Sequence, residues 1–229
     1  MSHMYRVNLL LVIMISLASS SFAAGGGEIV KADPNKHFDP KGKLPSEFTI
    51  ELQNGLRKSL PFEDKRDFEE AKKGFIAAPS YKQIMAEAGH VAWDMGSYEF
   101  LLTDKEYDTI HPSLQRQAVL NMAYGLYEVM PDKIYQIRGY DLANITFIKG
   151  EKGWIIFDPL TAKETAAAAL KFINEQLGER PVTAVVYSHS HADHFGGVRG
   201  VVEEADVRSG KVPVIAPIGF MDHAVTENV

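Results

Sequence analysis

The chain has 229 residues, 45% of them apolar and 24% charged, which is enough for a core of its own and argues against a disordered class. A formal net charge of −6, without any local run of Lys and Arg, excludes the basic stripe that a nucleic-acid binder needs. There is no cysteine, so disulfides and thiolate metal sites are excluded, and any metal must be held by imidazole and carboxylate.

Residues 1–23 read as an export signal. Arg6 gives a positive start, Val7 to Ala18 an apolar middle, and Ser19 to Ala23 a small-residue end. Cleavage after Ala23 sets Ser21 and Ala23 at the two positions that must be small. The apolar run is too short for a permanent membrane anchor, so the expected location is periplasmic or secreted. A tethering helix or a tag remnant in Met1 to Met4 is the plainer alternative. Gly25 to Gly27 then make a flexible start to the mature chain.

Residues 24–131 read as a mostly helical or irregular cap region. The stretch from Pro61 to Ala78 is charged and helix-forming, with Phe68, Ala71, Phe75 and Ile76 at helical spacing. A clearer helix is expected from His111 to Val129, where Pro112 sits near the start and Leu114, Ala118, Met122 and Leu126 recur every four residues. Trp93, Tyr98, Phe100, Met122, Tyr124 and Tyr127 read as core, because apolar stripes at that period usually bury.

The texture changes at about Asp132, and residues 132–229 read as an α/β domain. Ile134 to Pro159 is rich in β-branched and aromatic residues, with a hairpin turn at Lys149 to Gly153. Thr161 to Gly178 is a helix with Thr161 and Glu164 spaced as a capping box and Gly178 as its stop. A strand from Val182, a short helix around Val198 to Ala205, a strand at Val212 to Pro217 and a helix from Gly219 complete the pattern. Strand and helix alternating in this way predict parallel neighbours with right-handed crossovers. Sites in such sheets lie beyond the carboxyl ends of strands.

At one such end stands Ser188-His189-Ser190-His191-Ala192-Asp193-His194-Phe195-Gly196-Gly197. Alternation along an extended segment points His189 and His191 to the same side. After the chain turns, Asp193 and His194 serve a neighbouring position, and the glycine pair brings backbone close beneath. That layout suits two metal ions about 3.5–4 Å apart. A solvated turn is the ordinary reading of a lone histidine, and His37, His90, His111 and His223 receive it. Four ligand-type residues behind an apolar strand need a cation to offset their desolvation. Asp158, ending Trp154 to Asp158, either caps the following helix or orients a ligand histidine from behind. Zinc, iron and manganese all accept such ligands.

The His189-x-His191-x-Asp193-His194 pattern resembles the signature of the metallo-β-lactamase superfamily, and Phe157-Asp158-Pro159 resembles its aspartate motif. Ile134 to Ile148, Gly153 to Ala162, Val185 to Gly200 and Val214 to Val229 together resemble the alkyl sulfatases, which hydrolyse sodium dodecyl sulfate. The resemblance implies the front half of an αββα sandwich behind the cap. It implies two zinc ions, with His189 and His191 on one and Asp193 and His194 on the other, Asp193 counting also as catalytic. It implies further ligands, a dimerisation region and a lipid-carrier-like domain beyond residue 229. The expectation is therefore an N-terminal fragment of a homodimeric alkyl sulfatase, with doubtful activity alone and an alkyl sulfate as substrate. Ile218 departs from the family, where a glutamate is expected. The alternatives are another hydrolase of that fold, acting on a β-lactam or thioester, or an inactive truncated product.

Overall fold

The computed structural model describes residues 44–103 and 105–228. The expected export signal, its cleavage site, the glycine run and His37 lie outside them. The N-terminal side starts with α1 (Glu47–Ser59), whose N-cap Ser46 accepts the Thr49 N–H at 3.2 Å. Then come α2 (Arg66–Glu70), β1 (Phe75–Ala77), the hairpin β2 (Gln83–Met85) and β3 (Val91–Asp94), a 3-10 turn at Glu99–Leu102, and α3 (Pro112–Leu120). There follow β4 (Gly125–Met130), β5 (Ile134–Arg138), β6 (Ile145–Lys149) and β7 (Trp154–Phe157). The chain continues through α4 (Lys163–Leu177), β8 (Val182–Val186), α5 (Glu204–Arg208), β9 (Val214–Ile215) and α6 (Phe220–Asn228).

Seven strands make one sheet in the order β1-β4-β5-β6-β7-β8-β9. Neighbours are antiparallel as far as β7 and parallel from β7 through β9. The expected parallel arrangement therefore holds for three strands, and the sheet as a whole is mixed. Side-chain alternation sets its core face. Tyr135 and Ile137 of β5, Ile145 and Phe147 of β6, and Trp154 and Ile156 of β7 are buried, while their sequence neighbours are not. The register pairs Tyr135 with Phe147 and Phe147 with Ile156, so the buried residues stack across the sheet. Trp154 meets Tyr135 and Phe147 edge-on at 5.9 Å, and its indole N–H reaches Asn174 Oδ1 at 2.8 Å.

Against that face α4 turns Thr165, Ala166, Ala169, Phe172 and Ile173, all buried. Each large apolar side chain placed there stabilises by about 1.5–3 kcal/mol. Gly178 ends the helix at φ 94°, a conformation that a side chain would resist. The expected capping box does not form. The helix N-cap is Ala162, which makes no side-chain cap bond, and the Asp141 carboxylate from the β5–β6 loop instead ties down the residues that lead into the helix. It accepts the Thr161 and Ala162 N–H groups at 3.1 and 3.3 Å, and the Thr161 and Thr165 hydroxyls at 2.7 and 2.5 Å. Glu164 instead accepts the Glu87 N–H. A spacing rule identified a local cap where a carboxylate twenty residues upstream wins.

Two expected helices are shorter than predicted. α2 ends at Glu70, and Phe75, counted on a helical stripe, begins β1. α3 ends at Leu120, and Leu126, counted on the next stripe, is fully buried in β4 opposite Ile137. Gly125, at φ 135°, separates the two. The boundary expected at residue 132 is not one the sheet observes, because β1 and β4 both precede it. Tyr127 is core as expected, but Tyr98 and Phe100 are about half exposed. Trp93, Met95, Leu101, Met122, Tyr124 and Arg138 line a cavity of about 720 Å³ beside Tyr98. β5 runs parallel to β7, each being antiparallel to β6, so Arg138 stands at the same sheet edge as Asp158.

Candidate metal centre

β8 delivers its chain to that edge. Tyr187 is the last residue tied to the sheet, through its N–H to Ile215 O at 2.8 Å. Its ring sits 5.9 Å from Phe195 and 5.3 Å from Phe220, so the aromatic trio closes the base of the loop that follows. The loop carries Ser188 to His191, turns as a 3-10 segment at Ala192–His194, and passes into a second at Gly196–Gly200.

Opposite it runs a strap from Asp158 to Ala162, with Asp158 and Leu160 at positive φ of 55° and 62°. Such backbone costs about 1–3 kcal/mol per residue outside glycine, and several hydrogen bonds offset it here. Asp158 Oδ1 accepts the Ser188 N–H at 2.8 Å. Oδ2 accepts the Ser188 hydroxyl at 2.6 Å and pairs with His194 Nδ1 at 2.9 Å. Gly197 N–H reaches Leu160 O at 2.8 Å. A Cβ on Gly197 would lie 2.2 Å from Pro159 O and 2.6 Å from Ala162 O, and one on Gly196 2.4 Å from Thr161 O. The glycine pair is required by this backbone-to-backbone contact. Asp158 thus bonds to the histidine loop at both Ser188 and His194.

Asp158, His189 and His194 each offer a ligand atom, all within 4.8 Å of one another. The His189 ring centroid is 4.1 Å from that of His194 and 4.7 Å from that of His191. His194 Nε2 faces Asp193 Oδ2 at 3.4 Å. His189 is thus nearer to His194 than to His191, and the group of ligand atoms within 4.8 Å includes Asp158 but neither His191 nor Asp193. The donor chemistry fits a cation. Imidazole nitrogens and carboxylate oxygens crowded in this way are the donor set that a divalent transition-metal ion takes.

Three contributors escaped the sequence reading. Ser188 stands next to His189, yet no spacing rule marked it. Asp141 sits in a polar loop without a motif. The end of α6 grips the loop at Ser190, whose hydroxyl donates to Glu227 and whose carbonyl accepts the Asn228 side chain at 3.0 Å. Ile218, just before that helix, is fully exposed.

Residues 138–229 match the family model described as the metallo-beta-lactamase superfamily. Over those residues the chain is similar to that superfamily, and its sheet, strap and histidine loop have the metallo-β-lactamase fold. Within it the chain is a relative of the alkylsulfatases. It is 55% identical over 187 residues to an (R)-specific secondary-alkylsulfatase of a Pseudomonas species, covering 82% of this chain and 28% of the relative. It is 46% identical over 181 residues to the alkyl/aryl-sulfatase BDS1 of Saccharomyces cerevisiae, covering 79% and 28%. The solved stereoselective inverting sec-alkylsulfatase Pisa1 from a Pseudomonas species superposes with a TM-score of 0.77 at 52% identity, over 82% of this chain and 29% of that one. The chain spans about 28% of the length of the curated relatives it matches.

Proposed function

We propose that the whole protein hydrolyses alkyl sulfate esters to alcohol and inorganic sulfate at a binuclear zinc centre, and that this chain supplies one side of that centre. The observation that carries the reading is the crowding of four ligand-type side chains, with the His189 ring 4.1 Å from His194 and 4.7 Å from His191 and His194 Nε2 3.4 Å from Asp193, in a chain about half identical to alkylsulfatases. His189 and His191 would hold one ion, and Asp193 and His194 the other. Two ligands per ion fall short of the three or four of established zinc sites, so the remaining ligands come from elsewhere in the protein. Bound zinc supplies Lewis acidity and lowers the pKa of a bound water from 15.7 to about 7.

The chain's own residues do the positioning. Asp158 holds His194 by its Nδ1, and Asp193 adds negative charge beside it. The glycine pair locks the loop to the strap, and Tyr187, Phe195 and Phe220 shield its base. The cavity lined by Trp93, Met95, Leu101 and Tyr124, at the same sheet edge, is where the alkyl chain is proposed to sit. In the same reading the protein is exported and homodimeric. Among the described residues no helix is long and apolar enough to cross a membrane.

Sulfate release from sodium dodecyl sulfate by the zinc-loaded protein tests the reaction. Release no greater than that of a His189→Ala control overturns it. Export is tested by sequencing the amino terminus of the mature protein, which should begin at Ala24.

A further inference from the structure

We infer that the Ser188 hydroxyl fixes the His189 imidazole as its Nδ1–H form, so that a single carboxylate, Asp158, sets the tautomer of two histidines. The inference follows from counting protons. Asp158 is an acceptor, and its Oδ2 lies 2.6 Å from Ser188 Oγ. A hydroxyl has one hydrogen. If that hydrogen pointed at His189, the hydroxyl oxygen and the carboxylate oxygen would face each other as two acceptors at 2.6 Å, an unfavourable contact. The hydrogen therefore goes to Asp158, and Ser188 Oγ is an acceptor toward its other neighbour, His189 Nδ1, at 2.8 Å. That nitrogen must carry a proton. In the neutral ring Nε2 is then bare.

His194 reaches the same state directly, its Nδ1 against Asp158 Oδ2 at 2.9 Å. Both rings thus present Nε2 as the free electron pair, with centroids 4.1 Å apart. Ser188 is held for this task at its backbone as well, its N–H donating to Oδ1 at 2.8 Å. It is a positioning residue that acts through His189. Its use at the site rests on the metal reading given above; the tautomer itself does not.

Long-range proton–nitrogen NMR correlation on the metal-free protein reads the tautomers, at alkaline pH where imidazoles are neutral. The expected result is Nδ1–H for His189 in the native chain, a shift toward Nε2–H in Ser188→Ala, and retention in Ser188→Thr, with His194 unchanged in all three. Nε2–H in the native chain, or a Ser188→Ala spectrum identical to it, overturns the inference. A chelator-competition titration then measures zinc. Ser188→Ala is expected to lose about ten- to a hundredfold in affinity, as other losses behind a metal ligand do, with Ser188→Thr close to native. Equal affinity in Ser188→Ala and native chain overturns the role at the metal. Absence of zinc binding by the whole protein, with the tautomer result intact, overturns the zinc centre and leaves the relay standing.

Discussion

Two helices of similar length, α1 and α4, obey different physics. α4 lays five residues into the core and starts on a carboxylate donated from another loop. α1 buries Gln53, whose Oε1 finds no partner among the described residues, and leaves Phe48 75% and Leu52 52% exposed. It is held by its own Ser46 cap, by Glu47 in its first turn and by Arg57 and Lys58 in its last. One helix is stabilised by apolar packing and the other by its ends and by Arg57, which donates to Tyr107 O at 2.9 Å and faces Glu106 at 3.5 Å. The metal loop is built on the first kind.

The sharpest way to break this contrast is truncation. Phe172→Ala in α4 should cost about 3–5 kcal/mol, whereas Phe48→Ala in α1 should stay within about 0.5 kcal/mol. Urea midpoints measure both, and equal losses would erase the distinction. The caps should differ next. Asp141→Ala strands two backbone donors and two hydroxyls at the start of α4, an expected loss of about 2–3 kcal/mol. Ser46→Ala should cost about 0.5–1 kcal/mol.

Glycines sharpen the comparison by sign. Gly197→Ala pushes a methyl into the strap, with about 1–3 kcal/mol lost to overpacking and weakened zinc retention in dialysis. Gly55→Ala in α1 has open space around it and should stabilise by about 0.5–1 kcal/mol. The smallest effect is confined to alkaline pH. Burial pushes the Tyr187 hydroxyl up to about 12. The unfolded chain therefore releases that proton first, and stability falls as pH rises from about 10. Tyr187→Phe should remove this residue's share of the fall, read as a shallower loss of melting temperature over that range.

Legibility in the sequence followed the range of the interactions. The hairpin between β6 and β7, the Gly178 stop and the histidine loop after β8 depend on neighbours in the chain, and each was readable. β1 and β4 were misread because their apolar residues also satisfy a spacing of four. Only pairing with a distant strand turns Leu126 into a strand residue, opposite Ile137. Asp141 was missed for the same reason, as its partners lie twenty or more residues away. At the site, Asp158 was marked by its motif, with capping and orienting left open as roles. The hydroxyl that extends its reach to His189 carries no spacing signature, since a serine beside a histidine is ordinary.

Gly196, Gly197 and Gly200 seat the segment after the histidine loop directly on the carbonyls of Pro159, Thr161, Ala162 and Lys163. Main chain rests on main chain there, with no rotatable group between. The tolerance to which the loop is placed is thus that of peptide geometry, far tighter than side-chain packing allows. Any drift in the first turn of α4 is handed on to the histidines undamped.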